Sequence, residues 1–183
     1  MEAYVYVQVA AGKLGDVLAA LSSRQGVRRA VGVIGEWDVL VHADGPDLST
    51  IATSIVAEIH ATPGVVRTMT APVVPPDRIG ITGFGGPTPP PIIPDACYVH
   101  IQAAAGAAAG IAERLADMAD VAGVAVLGGR WDLLTCVAQP WEIASGVILD
   151  QLHQIPGVVA TSTLVSLDYR EPEEDRDQFS AWS

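Results

Sequence analysis

The sequence is poor in positive charge. It holds a single lysine, Lys13, and its ten basic residues face 21 acidic ones, a formal net charge of −11. Nucleic-acid binding needs phosphates neutralised by clustered Lys and Arg. The densest basic cluster here is the pair Arg28-Arg29, which argues against direct nucleic-acid contact; the acidic balance favours solubility. Long apolar runs are missing too: nothing approaches the roughly 18 residues of a membrane span. The first residues lack a basic flank and begin at once as a strand, so no signal peptide is expected and the expected location is cytoplasmic. Two cysteines, Cys97 and Cys136, are too few for a disulfide scaffold, and no CxxC spacing points to zinc. They read as small buried thiols, with a redox role as the weaker reading. The four histidines are scattered without an i, i+4 pair, and Gly83 to Gly86 precede no helix. Neither a metal nor a phosphate-bound cofactor is expected.

What is present is repetition. Ala3-Tyr4-Val5-Tyr6-Val7-Gln8 matches Cys97-Tyr98-Val99-His100-Ile101-Gln102, 94 residues on. At the same offset Gly35-Glu36-Trp37-Asp38-Val39-Leu40 falls on Gly129-Arg130-Trp131-Asp132-Leu133-Leu134, and one residue short of it Pro63-Gly64-Val65-Val66 falls on Pro156-Gly157-Val158-Val159. Three landmarks recurring in order predict an internal duplication.

Each copy has the same predicted element order. Residues 3–10 alternate with the period of a half-buried strand. Leu14, Val17, Leu18 and Leu21 form a helical stripe. Residues 27–34 and 37–44 predict strands joined at Gly35-Glu36. Asp47 caps a second helix with Ile51, Ile55 and Ile59 on its stripe, and residues 65–74 give a fourth strand. The second copy predicts strand 97–104, helix 107–119, strands 121–127 and 131–138, helix 141–153 and strand 158–168. The expected class is α+β, two tandem ferredoxin-like βαββαβ domains with both helices on one face of each antiparallel sheet. The expected boundaries are 1–74 and 96–169 for the two copies, 75–95 for a Pro/Gly-rich linker without a core of its own, and 170–183 for an acidic tail.

Helices on one side leave the other side of each sheet needing a cover. With Val5, Val7 and Val9 toward the helices, Tyr4, Tyr6 and Gln8 stand on the open face, as do Tyr98, His100 and Gln102 in the second copy. Such a face suits packing of one sheet on the other, in the manner of a dimeric α+β barrel, or a cavity with placed hydrogen-bonding groups.

The motif Gly35-x-Trp37-Asp38-x-Leu40, followed by Pro63-Gly64-Val65-Val66, resembles the effector-binding domain of the Lrp/AsnC regulators, the RAM domain, and both copies carry it. The resemblance implies self-association through the sheet and binding of a small-molecule effector, an amino acid or similar metabolite, near the Gly-x-aromatic-Asp hairpin. That points to Gly35, Trp37 and Asp38 and to Gly129, Trp131 and Asp132, with Tyr6, Gln8, His100 and Gln102 on the sheet face. Glycine allows close approach, a carboxylate holds an ammonium group, and an indole gives an apolar wall. In the bland alternative Asp binds backbone N–H groups in a turn and Trp fills the core. Family members usually begin with a helix-turn-helix, whereas this chain opens in the first strand, so a transcriptional role calls for a partner protein carrying the DNA-binding domain. Two other readings compete with this non-enzymatic one. One is a cofactor-free or haem-binding dimeric α+β barrel enzyme using His100 as base; the other is a ligand-free assembly scaffold.

Overall fold

The computed structural model describes residues 1–75 and 89–168. The expected acidic tail and most of the linker lie outside the described residues. The first half runs β1 Glu2–Val9, α1 Leu14–Ser22, β2 Val27–Ile34, β3 Val39–Asp44, α2 (residues 48–60) and β4 Val65–Pro72. The second half repeats the order: β5 Cys97–Ala103, α3 Ala108–Ala116, β6 Val121–Val126, β7 Leu133–Val137, α4 (residues 141–154) and β8 Val158–Ser166. Asp47 caps α2 as its sequence implies, its carboxylate accepting from the Thr50 N–H at 2.7 Å. Both α2 and α4 widen to π geometry midway, over Ile51–Val56 and Val147–Gln151.

The strands form one sheet of eight in the order β4-β1-β3-β2-β8-β5-β7-β6. Its ends also meet: Val73 pairs with Leu127, the Val74 N–H donates to the Val126 carbonyl at 2.9 Å, and the Gly128 N–H donates to the Pro72 carbonyl at 2.8 Å. The sheet is therefore a closed barrel without a fully free edge. Two-residue alternation decides which side chain goes where. Ala3, Val5 and Val7 pack outward under α1 and α2, and Cys97, Val99 and Ile101 outward under α3 and α4. Tyr4, Tyr6, Leu40, Tyr98, Leu134 and Leu164 point inward and fill the barrel. The two open faces cover each other, as the alternation predicts.

The halves meet at two seams of the same build. At one, Val33 pairs with Ser166 and the Leu167 N–H donates to the Gly32 carbonyl. At the other, Leu127 pairs with Val73 and the Val74 N–H donates to the Val126 carbonyl. Each residue of one seam has its counterpart 93 or 94 positions away in the other. Counterparts swap places across the contact, the signature of an isologous, two-fold interface.

Two expectations need correction, and the cysteines agree with the buried-thiol reading. The β2–β3 connection is Gly35 to Asp38 rather than Gly35-Glu36, because Trp37 leaves the ladder to enter the core and the Val33 N–H closes the turn on the Asp38 carbonyl. The end of the linker does join a core: Ile92 is 3% exposed within the barrel cluster. Cys97 and Cys136 sit on adjacent strands but face opposite ways, since Cys97 pairs with Val137 while Cys136 pairs with Tyr98. Both are buried and free, and burial raises both thiols, Cys97 to about 11 and Cys136 to about 12. An inert thiol form follows, against a redox role.

Candidate ligand-binding site

The hairpins come first, because they carry the Gly-x-Trp-Asp motif. Gly35 has φ +151 and Gly129 has φ +137, values that side chains resist. The close approach at Gly35 is already taken: a Cβ there would stand 2.6 Å from the Leu164 side chain and 3.1 Å from the Thr163 carbonyl. Trp37 is 5% exposed inside the barrel cluster, and Trp131 packs half-buried against the same cluster. The Arg67 guanidinium lies 4.6 Å from the Trp37 ring, and that of Arg130 lies 5.4 Å from the Trp131 ring. Each indole is thus a wall between core and cation.

Each aspartate does a structural task. β1 slips register between Gln8 and Val9, and β5 between Gln102 and Ala103. A bulge leaves an N–H without a ladder partner. Asp38 accepts that of Val9 at 2.8 Å, and Asp132 accepts that of Ala103 at 2.8 Å. Only Oδ2 is used in each bond.

The sheet-face residues divide. Tyr6 and His100, counterparts in the two halves, touch each other inside the barrel. Ser162 offers a carbonyl 3.2 Å from His100 Nδ1, and a carbonyl only accepts, so Nδ1 carries the proton. Nε2 then accepts from the Tyr6 hydroxyl at 2.7 Å. His100 is 2% exposed, and burial lowers its pKa to about 4. Both ring nitrogens are occupied by protein, which leaves no base directed at a substrate. The rings Trp37, Tyr6, His100 and Trp131 form a row with successive centroids 6.0, 5.0 and 5.7 Å apart. Gln8 and Gln102 stand at the strand ends outside this row. Gln8 accepts from Arg67 Nε at 2.8 Å, and Gln102 is exposed.

One mouth of the barrel is stopped by the incoming chain before β5. The Tyr4 hydroxyl donates to the Pro90 carbonyl at 2.7 Å, and the Tyr98 hydroxyl accepts from the Ile93 N–H at 2.7 Å. Behind that plug Tyr4, Tyr6 and Tyr98 are fully buried, and among the described residues they pack the barrel interior.

Open space lies outside, at the seams. Where β8 leaves β2, a groove of about 310 Å³ opens between α1 and the β2 edge, lined by Leu18, Ser22, Arg29, Val31, Pro94 and Leu167 among others. The second seam carries a related groove of about 330 Å³, lined by Val74, Ala109, Val126 and Asp132 among others. Sequence reasoning named Asp132 for its motif but missed the first groove. Its only sequence trace was Arg28-Arg29, two adjacent charges in a strand.

Comparison with known proteins agrees with this frame. Residues 2–75 match the model of the Lrp/AsnC ligand binding domain. The siroheme decarboxylase NirDL is similar in structure, with TM-score 0.65 at 10% identity over 93% of this chain and 75% of that one. TA0507, provisionally assigned as a chlorite dismutase, has TM-score 0.50 at 10% identity over 91% of this chain and 94% of its own. At such identities these two likenesses bear on the fold alone. A hypothetical protein of Pyrococcus horikoshii, PHS023, is 29% identical over 38% of this chain and 83% of its own, with TM-score 0.36. No curated protein matches the chain in sequence.

Proposed function

We propose that the chain is a small-molecule binding module of the Lrp/AsnC type, built from two tandem copies of the domain and tuned to an amino acid. The observation that carries this reading is the family match over residues 2–75, joined to the recurrence of the same elements and the same hairpin bonds in the second half. In this reading the duplicated chain stands in for a dimer of single domains. The hairpin residues Gly35, Trp37, Asp38, Gly129, Trp131 and Asp132 are its candidate ligand contacts. Oδ1 of each aspartate makes no hydrogen bond among the described residues and is the atom left for an ammonium group. With one lysine and a net charge of −11, the module acts on transcription through a cytoplasmic partner that carries the DNA-binding domain.

The test is a thermal-shift panel of the twenty amino acids. A ligand at 100 times its dissociation constant adds about 2.7 kcal/mol to stability. A selective rise supports the reading; a flat panel removes it. A flat panel would favour the second reading, a ligand-free assembly unit, which the close packing of the described barrel residues supports. The enzyme reading is disfavoured by the occupied nitrogens of His100.

A further inference from the structure

We propose that the β2–β8 seam groove is a binding site for a carboxylate on a short aliphatic chain, with Arg29 holding the carboxylate. This rests on the module reading above and names a place for its ligand outside the hairpin motif.

Three observations converge on it. The first is an uncommitted cation. Arg24 pairs with Glu58, Arg28 with Glu2 and Asp44, Arg130 with Glu36, and Arg67 is held by Gln8 and the Trp37 ring. Arg29 and Arg114 have no ion pair or hydrogen bond among the described residues, and of these two it is Arg29 that lines the groove. A guanidinium presents a fork of donors that matches a carboxylate bidentately. The second is the wall chemistry. Leu18, Val31, Pro94 and Leu167 give apolar surface, Ser22 adds a hydroxyl, and Asp168, itself already partnered, lines the groove as well. Gly32 keeps the floor low: a Cβ there would sit 3.4 Å from the Leu18 side chain and 3.6 Å from that of Leu167. A cleft of about 310 Å³ that combines apolar walls with placed polar and charged groups is the form of a small-metabolite site.

The third is the contrast with the other seam. Its groove is similar in size, yet the counterpart of Arg29 is Gly123 and that of Ser22 is Ala116. Apart from Asp132, whose carboxylate holds the Ala103 N–H, the residues named for it carry no ionisable side chain. A third cavity, of about 500 Å³ beside Gly26, offers Asp44 and Glu58, but Arg28 and Arg24 already neutralise them. The cation therefore singles out the first seam.

The experiment is calorimetric titration of the full chain with L-leucine, leucinamide and isocaproate. Arg29→Gln and Ala19→Phe test the groove, and Ala109→Phe is the control in the second one. Arg29 and Ala19 are exposed, so both variants should keep the unliganded melting midpoint. The expected result is binding of leucine, no binding of leucinamide, at least tenfold weakening in Arg29→Gln, loss in Ala19→Phe and no change in Ala109→Phe. Binding of isocaproate as well would identify a carboxylate site; its failure would restrict the site to amino acids. Wild-type affinity in Arg29→Gln and Ala19→Phe, with loss in Asp38→Ala or Asp132→Ala, would overturn the groove and leave the module reading standing. Equal binding of leucinamide and leucine would overturn the role of Arg29. No response to leucine, isocaproate or any of the twenty amino acids would overturn both.

Discussion

Asp38 and Asp132 occupy equivalent places in the two halves and perform the same task, each holding the N–H freed by a bulge at 2.8 Å. Tyr6 and His100 also occupy equivalent places, and so do Glu36 and Arg130, yet these pairs differ in type. The distinction lies in what each residue faces. The aspartates bond within their own half. Tyr6 faces His100 at 2.7 Å and Glu36 faces Arg130 at 3.1 Å, so each meets its own counterpart on the two-fold axis. In a dimer of identical chains such a residue must meet a copy of itself, and two Glu36 side chains would repel. A single chain is free of that restriction. It can set donor against acceptor and acid against base, and at both positions it does.

The largest effect should come from breaking the axis itself. Tyr6→Ala removes a fully buried ring and strands His100 Nε2, and we expect a loss of about 3–5 kcal/mol in denaturant unfolding. Tyr6→Phe keeps the ring and should lose about 1–3 kcal/mol. If Tyr6→Ala cost no more than an exposed substitution, the axis contact would not be holding the halves together.

The second effect is a pH dependence that only the His100 side of the pair can supply. Burial lowers the His100 pKa to about 4, against about 6.5 in an unfolded chain. Over that window the unfolded state binds the proton more readily, so stability falls as pH drops from about 6.5 to about 4 and levels below it. The full span corresponds to about 3 kcal/mol. His42, whose pKa burial also lowers, adds in the same direction. Unfolding measured across this range should be flatter in His100→Phe than in the parent, and an unchanged slope would reject the assignment.

The third prediction concerns equivalent positions that are alike in the two halves. Asp38→Ala and Asp132→Ala each orphan one backbone N–H, and each should lower stability by about 1–3 kcal/mol. The two losses should be similar, and additive within about 0.5 kcal/mol, because the sites share no partner. A loss confined to one half would mean that the two hairpins do different work.

How much of this was legible in the sequence follows the same division. Element order came from local periodicity, and β2 runs over Val27–Ile34 as its residues suggest. The inward and outward faces of β1 followed from strict alternation, since Tyr4 and Tyr6 have no polar place to go except against another sheet. The hairpin was misjudged because a Trp after Gly-Glu looks like a strand residue, while its side chain is drawn out of the ladder by the core. The seam groove was invisible. It exists only because β8, far along the chain, pairs with β2 for a short stretch and then departs. Nothing in the neighbourhood of Arg29 encodes that meeting.

The smallest effect gives the cleanest test of the comparison. Arg130 and Glu36 are substantially exposed, at 63% and 39% of their side chains, so their pairing is worth only about 0.2–1 kcal/mol. Replacing Glu36 by Arg places two cations on the axis; replacing Arg130 by Glu places two carboxylates there. Each single change should lower stability by a few tenths of a kcal/mol, and by less as salt screens the charges. The double change, Glu36→Arg with Arg130→Glu, exchanges the partners across the axis and should restore the parental midpoint. A purely local role for either residue predicts instead that the two losses add. Restoration in the double variant would therefore show that complementarity across the axis, rather than either residue in its own hairpin, is what this pair provides.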